Sequence, residues 1–526
     1  MNQLVKAEFE TAIIGAGLSG LGAAIRLKES GVHNFIIFES APSVGGTWRD
    51  NIYPGCGCDV PTLLYSFSFE QNPSWSRKFP KQSEILQYIN HCVDKYGLLE
   101  HIRFDSAVKQ MVFDEGKGFW RVTNWQGQTV TARTVIPAIG PLSTPIFPKI
   151  IGRENFKGVS FHTARWDKSF DPSGKRIAVV GTGASAIQLV PELAKKAEQL
   201  YVYQRSPAWI LPKRDIELSN YSKKLFQLFP LLLTLLRESN YWLLEFQGKG
   251  FFGNNSIIKI AERLGRNHIK KSISDTALRE MVLPKHKLGC KRVLLSNDFY
   301  PALQRSNVQL ITEPIKSITT HGVAGETGQK WEVDAIIYAT GFEAAEFNHR
   351  GITIIGRQGR NLFDEWKNTG AEAFYGMAVS GFPGLLFMLG PNSGLGHNSA
   401  IHIMESQINY ITDYLKKLNS LPNGEFLDVK PKVQKEFNEN IQKKLAHMVW
   451  ASKCNSWYKT SSGKNTFLWP GHTFTYRKLT KKVNLADFDK VKPIIGAADL
   501  IKSLSERAVP FAKPEPPKTL SPQKAT

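Results

Sequence analysis

The sequence predicts an α/β protein with two nucleotide-binding folds and a helical insertion in the second, and three observations predict it. A strand pattern runs straight into a glycine turn at Gly15-Ala-Gly17-Leu-Ser-Gly20. The same arrangement recurs at Gly181-Thr182-Gly183-Ala184-Ser185-Ala186. Residues 215–283 then interrupt the second unit with long helical and apolar runs. A chain of 526 residues, 42% hydrophobic and 21% charged, has globular composition and room for two or three domains around a sizeable core.

The first unit reads as strand 9–14, turn, helix 18–29 and strand 35–38 ending in Glu39. In a Rossmann-like dinucleotide-binding fold, Gly15 would make the tight turn and Gly17 would let the backbone approach a pyrophosphate. Gly20 would allow close helix packing, and Glu39 stands where a carboxylate holds ribose hydroxyls. Gly45-Gly46-Thr47-Trp48 follows, then Tyr53-Pro54-Gly55-Cys56-Gly57-Cys58-Asp59, dense in turn formers. In flavoproteins that bind two dinucleotides, such a Gly-Gly pair continues the FAD site. A helix over 83–96 and strands near 102–113, 119–123 and 129–136 lead to Ala138-Ile139-Gly140, where the chain crosses to its second unit.

That unit reads as strand 176–180, helix 184–195 and strand 200–203, ending in Gln204-Arg205-Ser206 with no acid. An acid there would repel a 2′-phosphate, whereas an arginine and a hydroxyl favour one, which selects NADP(H) over NAD(H). Within the insertion, 225–236 is strongly apolar but too short to cross a bilayer. It can be a core or lid helix pair, or an interfacial segment aided by neighbouring Lys and Arg. The unit resumes before Lys291-Arg292 and closes with strands near 308–311 and 332–338. Ala339-Thr340-Gly341-Phe342 marks the return to the first unit, followed by a buried strand and turn over 382–392 and helices near 399–417 and 433–448. The expected domains are 1–150 (FAD, first part), 151–339 (NADP, insertion 215–283), 340–502 (FAD, second part and C-terminal loops) and a disordered Pro/Lys/Ser-rich tail, 503–526.

A formal charge of +21 can attract nucleic acid, an anionic membrane or a phosphorylated cofactor. No basic stripe with interleaved aromatics supports nucleic acid. Five scattered cysteines suit a reduced, intracellular chain, and the first strand starts too early for a signal peptide. The expected location is cytoplasmic, with possible peripheral membrane contact. Cys56 and Cys58 lack further Cys or His at finger spacing, so no metal site is expected, and C-x-C is cramped for a redox pair.

Between the two glycine turns lies Phe156-Lys-Gly158-Val-Ser-Phe-His162-Thr-Ala-Arg165-Trp166-Asp167. This F-x-G-x-x-x-H-x-x-x-W-[PD] pattern resembles the fingerprint of type I Baeyer-Villiger monooxygenases. Relatives that oxygenate nitrogen or sulfur carry Tyr or Phe where this chain has Trp166. Taken alone, His162 reads as a structural hinge. The resemblance runs over about residues 8–480 and implies that NADPH reduces FAD and that O₂ then forms a flavin 4a-peroxide. That peroxide would attack a ketone to give an ester or lactone, with NADP⁺ staying bound. It further implies Arg292 as the catalytic cation, Asp59 as the acid that orients it, and Lys291, Arg205 and Ser206 as 2′-phosphate ligands. Trp457 would sit on a loop closing over NADP⁺ and substrate. Taken singly, Asp59 could cap a turn, Lys291 be a solvated charge and Trp457 be core. Thr47, Trp48, Cys58, Tyr65 and Val108 join the expected cofactor contacts. The competing enzyme reading is an S- or N-oxygenase on the same fold; the ketone and the oligomeric state stay open.

Overall fold

The computed structural model describes residues 6–347, 351–422, 424–452, 454 and 456–493; the expected tail at 503–526 lies outside them. Strand Phe9–Ile14 is apolar and buried through its second half, so it takes the centre of a mostly parallel sheet. Phe35–Phe38 flanks it on one side and Thr129–Pro137 on the other, in parallel register Ile14↔Phe38 and Ile14↔Pro137. Val108–Asp114, Phe119–Asn124 and Thr129–Pro137 continue outward as an antiparallel meander. The later segments Thr353–Ile355 and Phe382–Leu386 join this same sheet. Helix Leu18–Glu29, buried along most of its length, is sandwiched between this sheet and helix Ala400–Asn419.

The second sheet is wholly parallel, in the order Val308–Ile311, Gln199–Tyr203, Arg176–Val180, Ala335–Tyr338 and Val159–His162. Its register aligns Val180 with Tyr203 and Tyr338, and Tyr338 with His162, so four strand ends form one rim. The connector motif supplies the edge strand of this sheet. Two crossing segments join the units side by side: the Ile146 amide donates to the Gly341 carbonyl at 2.9 Å and the Glu343 amide to the Thr144 carbonyl at 2.9 Å.

The insertion forms helices Asn220–Leu228, Pro230–Gly248, Asn255–Ser272 and Thr276–Val282. The apolar run 225–236 breaks between Leu228 and Pro230, because proline starts a helix but cannot continue one. The run thus lies on a helix pair, as one expectation had it, but most of it is not core. Phe226 and Leu233 are buried, whereas Leu228 (73% exposed), Leu231 (71%) and Leu235 (59%) face outward. The long helix Pro230–Gly248 buries Leu233, Arg237, Tyr241, Glu245 and Gly248 instead. Polar partners on the inner side explain this inversion. Arg237 donates to the Leu63 and Ser66 carbonyls. Glu245 accepts from Asn398 Nδ2 at 2.7 Å and from the Thr473 hydroxyl, and contacts His472 Nδ1 at 2.8 Å.

Candidate active site

A cleft of about 3190 Å³ runs between the C-terminal rims of the two sheets. Open α/β sheets bind ligands there because helix N-termini and loops converge on it. Gly15 (φ +112°) and Gly181 (φ +111°) make matching turns, and a Cβ on either would press on a backbone oxygen, Ala138 O at 2.8 Å or Ala339 O at 2.6 Å. The helices behind both turns start at Gly17 and Gly183 without side-chain caps, leaving their amides for an anion.

At the first turn, Glu39 is held at its strand end by the Ala16 amide (2.9 Å), the Ala41 amide (3.0 Å) and Arg49 Nη1 (3.0 Å). The Gly45 amide donates to the Ala16 carbonyl at 3.0 Å, which brings the Gly-Gly pair onto the turn. Trp48 Nε1 donates to the Tyr65 hydroxyl at 3.0 Å. Thr47, Trp48, Cys58, Tyr65 and Val108 all line the cleft. The arrangement fits a dinucleotide: open amides for phosphates, a carboxylate for ribose, and a long apolar trough for a flat ring.

At the second turn, Thr182, Gly183, Ala184 and Ser185 line the cleft. Gly20 and Ala186 do not; both are buried behind the turns, where they let helix and strand pack. Lys291 Nζ donates to the Ser206 hydroxyl at 2.8 Å, beside Arg205. Burial and the neighbouring Arg205 charge both lower the Lys291 pKa. Two cations drawn together around a hydroxyl form a site that an added phosphate would relieve.

Arg292 and Asp59 meet on the cleft wall between the two turns. Arg292 Nη2 donates to both Asp59 oxygens at 2.7 Å, and Nε donates to Oδ2 at 3.1 Å. The arginine is placed by the short parallel ladder Ile210↔Leu294 and Leu211↔Leu295 just after it. Asp59 is placed by the Cys58 amide donating to the Pro80 carbonyl at 2.9 Å. Side-chain exposures of 38% for Arg292 and 22% for Asp59 leave the pair open to the cleft. Burial works to raise the Asp59 pKa, but the Arg292 charge and hydrogen bonds override it and hold the carboxyl below its usual range. The Asp59 charge in turn raises Arg292. Among the described residues Arg292 Nη1 makes no hydrogen bond, so its N–H groups remain for a ligand.

Phe156, Gly158, His162 and Trp166 of the connector all line the cleft. The F-x-G spacing has a steric cause: a Cβ at Gly158 would lie 2.5 Å from the Asp334 carbonyl and 2.6 Å from the Phe156 ring. His162 is fully buried, its Nδ1 accepts from the Ala164 amide at 3.1 Å, and burial followed by the Arg165 charge lowers its pKa to about 4. Trp166 stacks edge-on against Phe161 at 5.0 Å, while Arg165 reaches Asp50 of the first unit at 4.0 Å. Trp457, 37% exposed, packs on Tyr458 and Phe467 at the cleft mouth.

Sequence reasoning missed three features. Gln188 bridges the units, accepting from the Tyr53 hydroxyl at 2.8 Å and donating to the Gly57 carbonyl at 2.9 Å. Glu245 gathers His397 and His472 into a metal-like trio, but its carboxylate is already met by several donors, and these hold its pKa down at about 2 against burial. Cys290 and Cys454 are joined as a disulfide across 164 residues, a pairing that the scattered cysteine spacing did not announce. Cys56, Cys58 and Cys92 are free and buried, and burial pushes the Cys56 thiol up to about 12, so it is inert.

Residues 12–228 match the family model described as pyridine nucleotide-disulphide oxidoreductase. The chain is 46% identical to a Baeyer-Villiger monooxygenase of Pseudomonas aeruginosa, covering 91% of each chain. It is 40% identical to a Baeyer-Villiger monooxygenase of Streptomyces coelicolor, covering 94% of each. Among solved structures, cyclohexanone monooxygenase from Rhodococcus sp. Phi1 bound to NADP⁺ superposes with TM-score 0.84 at 25% identity, over 93% of this chain and all of that one. Oxidized steroid monooxygenase bound to NADP superposes with TM-score 0.82 at 27% identity, over 92% of this chain and 99% of that one.

Proposed function

The chain belongs to the Baeyer-Villiger monooxygenases, and from that membership we propose that it uses NADPH and O₂ to convert ketones to esters or lactones on FAD. The relatives at 40–46% identity support the reaction class. We assign FAD to the first turn and NADP(H) to the second, with residues 1–150 and 340–502 forming the flavin domain and 151–339 the NADP domain. The division of strands between the two sheets supports this.

Bound FAD supplies the hydride acceptor and the activation of O₂. The protein supplies position and charge. The glycine turns and the Gly45-Gly46 pair hold the diphosphates, while Arg205, Ser206 and Lys291 select the 2′-phosphate. Arg292 keeps its proton at any working pH and places its donors where negative charge develops on oxygen. Asp59, held ionised, fixes the plane of that guanidinium. Trp457 covers the cleft mouth.

The observation that carries the reading is the Arg292–Asp59 fork standing in one cleft with both glycine turns. NADPH consumption with and without a panel of ketones, together with product masses, tests it. Ketone-dependent consumption with gain of one oxygen atom per product is expected; sulfoxides or amine oxides alone would return the S- or N-oxygenase reading.

We also propose that the insertion rests on an anionic lipid surface. Helix Pro230–Gly248 turns Leu231, Leu235, Trp242 (54% exposed) and Phe246 (57%) outward, and Lys249 Nζ lies 5.2 Å from the Phe246 ring centroid. Among the described residues, no helix is long and apolar enough to cross a membrane. An apolar stripe flanked by Lys223, Lys224 and Lys249 on a chain of charge +21 matches an interfacial helix. Co-sedimentation with anionic vesicles, weakened by salt and by Trp242→Ser, is expected. Binding of neutral vesicles alone, or of none, would refute it.

A further inference from the structure

The disulfide lies at a place where structure and cofactor meet. Cys290, 1% exposed, immediately precedes Lys291 and Arg292. Cys454 belongs to the C-terminal segment that carries Ser456, Trp457 and Lys459 into the cleft. It also lines a side recess of about 560 Å³ with Arg205, Ser206, Lys291 and Thr312. The bond therefore fastens the segment bearing Trp457 to the wall that carries the phosphate cations.

We propose that Cys290 and Cys454 form a redox-governed clasp: closed, it pins the Trp457 segment against the 2′-phosphate wall and slows NADP⁺ release; open, it frees that segment. The inference rests on the NADP(H) assignment above. On closing, the two thiols lose two protons and two electrons, and one Sγ–Sγ bond forms. The electrons pass to a peroxide, cleaved to two waters in the case of hydrogen peroxide, or to a small disulfide, released as two thiols. A dithiol reverses the step by attacking at Cys454, a half-buried residue, since Cys290 is buried. Disulfides in reducing compartments are usually transient and redox-sensing rather than structural. The three remaining cysteines are buried and free, so they do not compete for exchange.

The holoenzyme is to be treated with glutathione disulfide or a dithiol, denatured and titrated for thiols, with the linked peptides identified by mass. Three thiols are expected after oxidation, against all five cysteines after reduction. NADP⁺ release, followed by displacement in stopped flow, should be slower in the oxidised form than in the reduced form. Cys454→Ser should release NADP⁺ at the reduced rate under both treatments, as should Cys290→Ser. Five thiols after oxidation, equal release from both forms, or a redox response surviving in Cys454→Ser would each overturn the clasp. No NADP⁺ binding in either form would instead overturn the cofactor assignment, and the clasp's role with it.

Discussion

Arg292→Ala should separate cofactor reduction from oxygen insertion. Hydride transfer requires only that the two dinucleotides meet, which the twin turns and the connector arrange. Oxygen insertion requires a fixed cation on the cleft wall. Arg292 has five N–H donors, and its Nε and Nη2 are committed to Asp59, which leaves Nη1 for the reacting oxygen. Losing one such preorganised donor costs about 100- to 1,000-fold in kcat, or roughly 3–4 kcal/mol of transition-state stabilisation. The folded state should suffer less. The pair is partly open to the cleft, so the exposed part of its contribution is screened and the loss stays near about 1 kcal/mol. The variant is therefore expected to purify yellow, to be reduced by NADPH in anaerobic stopped flow, and to yield hydrogen peroxide in place of ester. Arg292→Lys should recover little, because an ammonium cannot hold Asp59 with two nitrogens and still present a third. Asp59→Asn should show an intermediate loss, keeping the cation but loosening its plane. Ester formation at the wild-type rate by Arg292→Ala would remove the residue from the mechanism.

Arg205→Ala should raise KM for NADPH about tenfold or more while leaving NADH nearly unchanged, since only NADPH carries the extra phosphate; equal losses for both would refute the assignment. Gly158→Ala should destabilise the fold by about 1–3 kcal/mol through overpacking against Asp334 and Phe156, read as a lower Tm, and an unchanged Tm would count against the steric account. Burial lowers the His402 pKa to about 3, so the unfolded chain takes up a proton that the folded chain refuses. That contribution is complete above the ordinary histidine range near 6.5 and erodes as pH falls towards 3, at up to about 1.4 kcal/mol per pH unit. Denaturant titrations at pH 7 and 5 should show the loss, and His402→Asn should flatten it; an unchanged slope would show His402 is not responsible.

The parts legible in the sequence were those governed by neighbours along the chain. Strands 9–14, 35–38 and 176–180 and helix 18–29 were readable because glycine turns and apolar runs set their limits locally. Arg205 was singled out by its position after a strand, and Lys291 and Arg292 by the family order; the structure brings all three to the one cleft. What escaped depends on distant partners. Nothing near Gln188 announces Tyr53 and Gly57, and the Cys290–Cys454 pairing runs from the end of the second unit deep into the return. The sequence left the run 225–236 open between core, lid and interfacial segment, because hydropathy does not reveal that Arg237 and Glu245, spaced at helical intervals, would find buried partners and turn the leucines outward.

The two ends of the insertion are stitched together at Ile210–Leu211 and Leu294–Leu295, immediately behind Arg292. The excursion between them leaves the sheet and returns to the same spot, so its length does not by itself set the arginine's address, although Arg237 and Glu245 tie its helices to the rest of the chain. Lengthening a closed loop costs only about 0.6 kcal/mol per doubling. Lineages can therefore lengthen or shorten these helices while the ladder that positions Arg292 stays in place. In a laboratory the same ladder marks the cut points for exchanging the whole cassette between relatives.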